Sequence, residues 1–265
     1  MAARTGKALL AGVIGDPVAH SPSPAIHEYW LREHGIDGSY VPLRAEAMNF
    51  AETIKDLRRL GFKGVNVTLP HKEAAFALAD WKDEVALATG AVNTLVFTND
   101  QIKGYNTDVF GFAENLRSLL HPIDSYLNSC LVLGAGGAAR GVIQALISMG
   151  ARQIFLTNRT QSKAQNLADT FQNLTNGASP VSCIAWENRH EPLRDVSLVV
   201  NTTQLGMTGQ PMLELNLDAL PKKAAVADIV YKPLKTPLLE AGERLGLRVA
   251  DGLGMLLWQA SPGFE

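Results

Sequence analysis

The residues Leu131-Val132-Leu133-Gly134-Ala135-Gly136-Gly137-Ala138-Ala139-Arg140 constrain this chain more than any other stretch. Three apolar residues read as the end of a buried parallel strand. A glycine turn follows, then a helical run through Val142, Ile143, Ala145, Leu146 and Met149. This is strand, G-x-G-x-x-A, helix, the context in which the glycine pattern holds a dinucleotide. Gly134 permits the tight turn, Gly136 lets the backbone approach a pyrophosphate, and Ala139 lets helix pack close to strand. The helix start then offers unpaired N–H groups and a partial positive charge to phosphate.

The next strand tip distinguishes the nucleotides. Gln153-Ile154-Phe155-Leu156-Thr157 reads as a strand. Its end lies roughly twenty residues past the glycines, where an NAD enzyme usually places Asp or Glu for the ribose 2′-hydroxyl. This chain has Asn158-Arg159-Thr160 there, with Lys163 one turn later and no carboxylate. A guanidinium stacks on adenine and pairs with a 2′-phosphate. Asn158 and Thr160 add hydrogen bonds, and Lys163 adds a second positive charge. Thr160 would also cap a helix from Gln161 to Phe171, a role compatible with phosphate binding. The tip favours NADP over NAD.

Composition narrows the partners. Of 265 residues 46% are apolar and 19% charged, and the net charge is −2. That supports one large domain or two small ones and no basic field for nucleic acid or membrane. No apolar run reaches the roughly eighteen residues of a membrane span, and residues 1–7 do not read as a signal peptide. Cys130 and Cys183 have no partners at metal spacing, and the histidines show no metal motif, so no metal is expected. Two reduced core thiols fit a cytoplasmic location.

The N-terminal part alternates strand and helix, which predicts a mostly parallel sheet in a domain of its own. Strands read at Ala8 to Ile14, Ser39 to Leu43 and Phe62 to Val67, and a hairpin at Gly90 to Phe97 and Ile102 to Tyr105. Ser23 before Pro24 reads as a helix N-cap with proline at the first helical position. Capping does not account for Ser21, and the two hydroxyls together could bind a small carboxylate. The third strand runs into Asn66-Val67-Thr68-Leu69-Pro70-His71-Lys72, and ligands bind at such strand ends. Lys72 falls in the first turn of a helix, against the dipole; it is either functional or a solvated surface lysine. Asn93, Asn106 and Asp108 also cluster at strand ends, Asp108 being equally readable as an N-cap. A lysine, a carboxylate and several neutral hydrogen-bonding groups suit a polyhydroxylated acid beside a hydride donor.

Taken in order, these segments resemble the shikimate dehydrogenase family. The resemblance is carried by His20-Ser21-Pro22-Ser23-Pro24, the Asn66 to Lys72 stretch, Gly90-Ala91-Val92-Asn93-Thr94, Gly104-Tyr105-Asn106-Thr107-Asp108, the glycine turn, Asn158-Arg159-Thr160 and Asp251-Gly252-Leu253-Gly254-Met255. It implies an α/β chain of two α/β domains with an active-site cleft between them. Residues 1–108, completed by 252–265, would form the substrate-binding and catalytic domain, and 109–251 the NADP-binding Rossmann domain. The implied reaction is reversible NADPH-dependent reduction of 3-dehydroshikimate to shikimate. Lys72 and Asp108 match the catalytic pair. Ser21 and Ser23 match the carboxylate contacts; Thr68, Asn93, Tyr231 and Gln259 match the other substrate contacts. Cofactor positions fall on Gly134, Ala135, Gly136, Gly137, Ala138, Asn158, Arg159, Thr160, Lys163, Thr203, Ile229, Gly252 and Met255. The same fold serves quinate dehydrogenases and, without turnover, a ligand sensor. A monomer or homodimer is expected.

Two departures stand out. Asn201-Thr202-Thr203 replaces the family's frequent Asn-Ala-Thr, and relatives usually continue beyond the Gln-Ala that here precedes Ser261 to Glu265. Other expectations are a surface loop at 172–179, a cofactor lid at 205–211, and Thr236 capping a helix to Leu245. If the tip reading holds, Arg159→Ala weakens NADPH binding far more than NADH binding in fluorescence titrations. Equal losses for both would contradict a 2′-phosphate contact.

Overall fold

The computed structural model describes residues 4–174, 177 and 179–264. The chain divides into two compact units, Met1–Thr107 with Ala260–Glu265, and Asp108–Gln259.

The first unit is built on β1 (Leu9–Gly15), β2 (Gly38–Arg44), β3 (Phe62–Val67), β4 (Trp81–Lys82), β5 (Thr94–Phe97) and β6 (Ile102–Tyr105), in the sheet order β2-β1-β3-β5-β6-β4. β1 runs parallel to β2 and β3, and β4 parallel to β6; β5 is antiparallel to β3 and β6. Side chains alternate across a strand, so neighbours Val13 and Ile14 enter different cores. Ile14 packs with Val65, Val67 and Leu95 against Phe50, Ile54 and Leu57 of α2 (Phe50–Arg59). Those three are four and three residues apart, one stripe of a helix. Val13 packs on the other face with Tyr40, Leu31 of α1 (Ser23–Glu33) and Phe264. Burying each such side chain contributes roughly 1.5–3 kcal/mol.

Several local expectations change. Pro22, not Ser23, is the N-cap of α1, and no side chain caps it. The Ser21 hydroxyl instead accepts from the Ser23 N–H at 3.3 Å. The strand read from Gly90 begins only at Thr94, because Gly90 closes α4 (Glu84–Thr89) in the left-handed region, at φ 62°. Neither β4 nor α4 was expected; two and six residues are too short for a periodic pattern.

The second unit holds β7 (Cys130–Leu133), β8 (Ile154–Thr157), β9 (Val181–Cys183), β10 (Leu198–Asn201), β11 (Ala225–Asp228) and β12 (Arg248–Ala250) in the order β12-β11-β10-β7-β8-β9. All its pairings are parallel. Every residue of β7, β10 and β11 is buried, as a parallel sheet covered on both faces requires. Cys130 and Val132 face α5 (Asp108–Leu119) and α6 (Gly137–Ser148), while Leu131 and Leu133 face α8 (Pro237–Arg244) and Leu213 to Leu220. α7 (Gln161–Leu174) runs into the stretch expected as a loop; residues 175, 176 and 178 of that stretch, with 1–3 and 265, lie outside the described residues.

The unit boundary differs from the expected one. Asp108 and residues 252–259 belong to the second unit, so the changeover falls at 260, inside α9 (Leu253–Phe264). The reason is helix packing. Met255 is part of the second unit's core. Gly111 and Gly254 let α5 and α9 approach so closely that a Cβ on Gly111 would meet the Gln259 backbone nitrogen at 2.8 Å.

The ends of β10 and β11 are fastened by a buried carboxylate. Asp228 accepts from the Asn201 amide at 3.0 Å, the Thr236 hydroxyl at 2.7 Å and the Val230 N–H at 3.0 Å. Burial pushes its carboxyl up to about 6, with these three hydrogen bonds pulling the other way. A raised folded-state value means the folded chain holds this proton more tightly than the unfolded chain does. The contribution is therefore full below the ordinary carboxylate range and is lost as pH rises through about 6. In urea melts, wild type should gain on the order of 2 kcal/mol relative to Asp228→Asn when pH falls from about 7 to about 4. A relative stability that stays flat or declines over that interval would contradict the assignment.

Candidate functional site

In the second unit the glycine turn sits where the sheet order reverses. The chain runs outward from β7 to β8 and β9, then returns to β10 on the other side of β7. Loops at such a reversal leave a crevice outside the strand ends. Gly134 adopts φ 110°, and a Cβ on it would press against Thr202 and Thr203. Gly252 is held as tightly, its Cβ position overlapping the Ile229 carbonyl. Thr203 donates its N–H and hydroxyl to Asn201 Oδ1, at 3.0 and 2.7 Å, and the Ile229 N–H donates to the Asn201 carbonyl at 3.1 Å. The structure thus brings Gly134, Thr203, Ile229 and Gly252 together around Asn201. Sequence reasoning did not single out Asn201 or Asp228 as the fastening.

A dinucleotide fits this arrangement. Gly136 is the N-cap of α6, with no side chain capping the helix and nothing within 4 Å of a Cβ placed on it. The helix start, including Gly137 and Ala138, is open to an anion. At the tip of β8, the Asn158 amide donates to the Thr160 carbonyl at 3.0 Å and shapes the turn. Arg159 and Lys163 are exposed, and neither forms an ion pair among the described residues. Both cations are available to a 2′-phosphate. Tyr231 stands half-buried past the end of β11, its phenol pushed up by burial. Asp108 is buried at the first position of α5. Met255 is buried in the core, and Gln259 donates its amide to the Leu256 carbonyl at 3.0 Å.

In the first unit, the Thr68 N–H donates to the Ile14 carbonyl at 2.9 Å, tying the turn after β3 to the end of β1. Asp16 donates its N–H to the Leu69 carbonyl at 3.0 Å, so the Ser21–Ser23 loop leaves from the same place. Lys72 opens α3 (Lys72–Leu78), and its carbonyl accepts from the Val92 N–H at 3.0 Å. The next residue, Asn93, is buried, and Oδ1 accepts from the Thr107 N–H at 2.9 Å while Nδ2 donates to the Thr107 hydroxyl at 2.9 Å. Thr68, Lys72 and Asn93 are therefore neighbours through main-chain hydrogen bonds. His71 turns away into the core: it stacks on Phe50 at 4.6 Å and bonds the Ala45 carbonyl at 2.8 Å. Cys130 and Cys183 are free thiols, and burial pushes Cys130 up to about 12. Among the described residues no helix is long and apolar enough to cross a membrane.

Comparison with known proteins matches both units. Residues 13–95 match the model of the shikimate dehydrogenase substrate binding domain, and residues 120–204 that of shikimate / quinate 5-dehydrogenase. The chain is 51% identical over 260 residues to the shikimate dehydrogenase (NADP(+)) of Dinoroseobacter shibae, covering 98% of this chain and 91% of that one. Among solved structures, shikimate 5-dehydrogenase from Thermus thermophilus in complex with NADP(H) and shikimate superposes with a TM-score of 0.82 at 37% identity, over 97% of this chain and 92% of that one. Quinate dehydrogenase from Corynebacterium glutamicum in complex with NAD superposes with a TM-score of 0.89 at 31% identity, over 97% and 92%. Family models over residues 13–95 and 120–204, with 51% identity along 98% of the chain, show that the chain belongs to the shikimate dehydrogenase family.

Proposed function

We propose that this chain catalyses the reversible NADPH-dependent reduction of 3-dehydroshikimate to shikimate, a step toward chorismate and the aromatic amino acids. The observation that carries the reading is the match to a named NADP(+) shikimate dehydrogenase along 98% of the chain, with a β8 tip that presents Arg159 and Lys163 and no carboxylate. When bound, the dinucleotide supplies the hydride that reduces the ketone.

The chain's own residues bind and manage the proton. Ser21 and Ser23 hydroxyls are assigned to the substrate carboxylate, where hydrogen bonds to a charged group contribute roughly 1.5–3 kcal/mol each. Thr68, Asn93, Tyr231 and Gln259 are assigned to the hydroxyls and the ring. Lys72, as an ammonium, donates a proton to the developing alkoxide, and Asp108 is assigned as its carboxylate partner. Assistance of this kind is typically worth about 10²–10⁴-fold. Gly134 to Ala138 and the α6 start would hold the pyrophosphate, and Asn158, Arg159, Thr160 and Lys163 the 2′-phosphate. Thr203, Ile229, Gly252 and Met255 would line the nicotinamide end. The free thiols of Cys130 and Cys183 support a cytoplasmic setting.

Initial rates of oxidation, with shikimate or quinate against NADP⁺ or NAD⁺, test the reading directly. Rapid turnover is expected only with shikimate and NADP⁺; comparable turnover with quinate or NAD⁺ would move the activity toward quinate dehydrogenases. Lys72→Ala should lower kcat by about 10²-fold or more while shikimate affinity changes little. If affinity falls while turnover survives, Lys72 only binds.

A further inference from the structure

A continuous run of side-chain hydrogen bonds crosses the first unit's sheet. The Tyr40 hydroxyl on β2 donates to Asn66 Oδ1 on β3 at 2.6 Å. Asn66 Nδ2 donates to the Thr94 hydroxyl at 3.0 Å. The Thr94 hydroxyl donates to Asn93 Oδ1 at 3.2 Å. We propose that Tyr40 is a positioning residue for the substrate: through Asn66 and Thr94 it sets the orientation of the Asn93 amide. The proposal rests on the assignment of Asn93 to the substrate hydroxyls.

The sense of the run is set at both ends. At one end the Thr107 backbone N–H can only donate, and it donates to Asn93 Oδ1 at 2.9 Å. At the other end Tyr40 is 5% exposed, and burial pushes its phenol up, so it stays protonated and is a donor. Its ring stacks on His27 at 4.0 Å and 3°. His27 is itself buried, which lowers its imidazole to about 4 and keeps it neutral beside the phenol. β1 lies between β2 and β3, so the Tyr40 ring must cross it to reach Asn66. The β1 residue opposite Tyr40 is Ala11, small enough to lie beneath the ring.

Between these anchors each amide has one workable orientation. Removing the phenolic hydroxyl leaves the half-buried Asn66 Oδ1 without that donor. The Asn66 amide is then no longer held against turning over, and once turned its Oδ1 accepts from Thr94. Thr94 can no longer donate to Asn93, and the Asn93 carbonyl loses one of the bonds that hold it. A residue that binds substrate equally before and during hydride transfer affects KM and leaves kcat unchanged when it is loosened.

The test compares Tyr40→Phe, Thr94→Val, Thr94→Ser and the double variant Tyr40→Phe/Thr94→Val, each with its thermal midpoint. Wild-type turnover of shikimate with NADP⁺ is measured alongside. Tyr40→Phe and Thr94→Val should each raise the KM for shikimate about three- to tenfold, with kcat and the KM for NADP⁺ within about twofold. Thr94→Ser, which keeps the hydroxyl, should restore the wild-type KM. The double variant should be no worse than the worse single one, because both break the same run. Tyr40→Phe with an unchanged shikimate KM, equal rises in both KM values, or multiplying effects in the double variant would overturn the proposal while the activity stands. Wild type that does not oxidise shikimate would overturn the activity and this proposal with it. If Tyr40→Phe fails to fold, the Thr94 pair decides.

Discussion

A buried asparagine amide must be satisfied at a donor end and an acceptor end at once, and that double demand fastens each unit internally, beside its candidate ligand contacts. Asn201 receives Thr203 on its oxygen and gives its hydrogens to Asp228 and the Leu205 carbonyl. Asn93 receives Thr107 and Thr94 on its oxygen and returns a hydrogen to Thr107. Asn201 ties together the ends of two parallel strands, and Asn93 ties the start of β5 to the chain leaving its antiparallel neighbour β6. Leaving one such group unpaired costs roughly 1–3 kcal/mol, so the arrangement is stiff as well as connected. Candidate ligand contacts are attached to these amides or are the amides themselves.

The two units reach this by different routes. In the second, every strand is parallel, and the amide lies on β10, beside the strand that carries the glycine turn. Its partner is a carboxylate, which fixes polarity by charge. In the first, the sheet mixes directions, and Asn93 precedes the antiparallel β5. Its partners are neutral hydroxyls, and polarity comes from a backbone N–H at one end and a phenol at the other.

Local pattern made the second unit's frame legible in the sequence. Three apolar residues, glycines at fixed offsets and a missing carboxylate at the next tip depend on neighbours within thirty residues or so. β7, α6, β8 and the tip followed directly. The Ser23 cap failed because three residues in a turn can share a hydroxyl in more than one way, and the bond observed runs to Ser21. The resemblance places the return to the first unit at 252, yet Gly254 serves close packing of α9 on α5 within the second unit. Tyr40, Asn66 and Thr94 lie 26 and 28 residues apart along the chain. Only strand order and register bring them into line, and no local pattern announces that.

The glycines assigned to nucleotide binding are not alike in what depends on them. Gly134 and Gly252 are demanded by the fold itself, since the chain cannot close around a side chain at either place. Gly136 is demanded by nothing in the folded chain: its backbone is ordinary and the space beside it empty. A methyl group there would leave the architecture indifferent. Foldability therefore constrains Gly134 and Gly252 on its own, whereas any demand on Gly136 has to come from outside the fold.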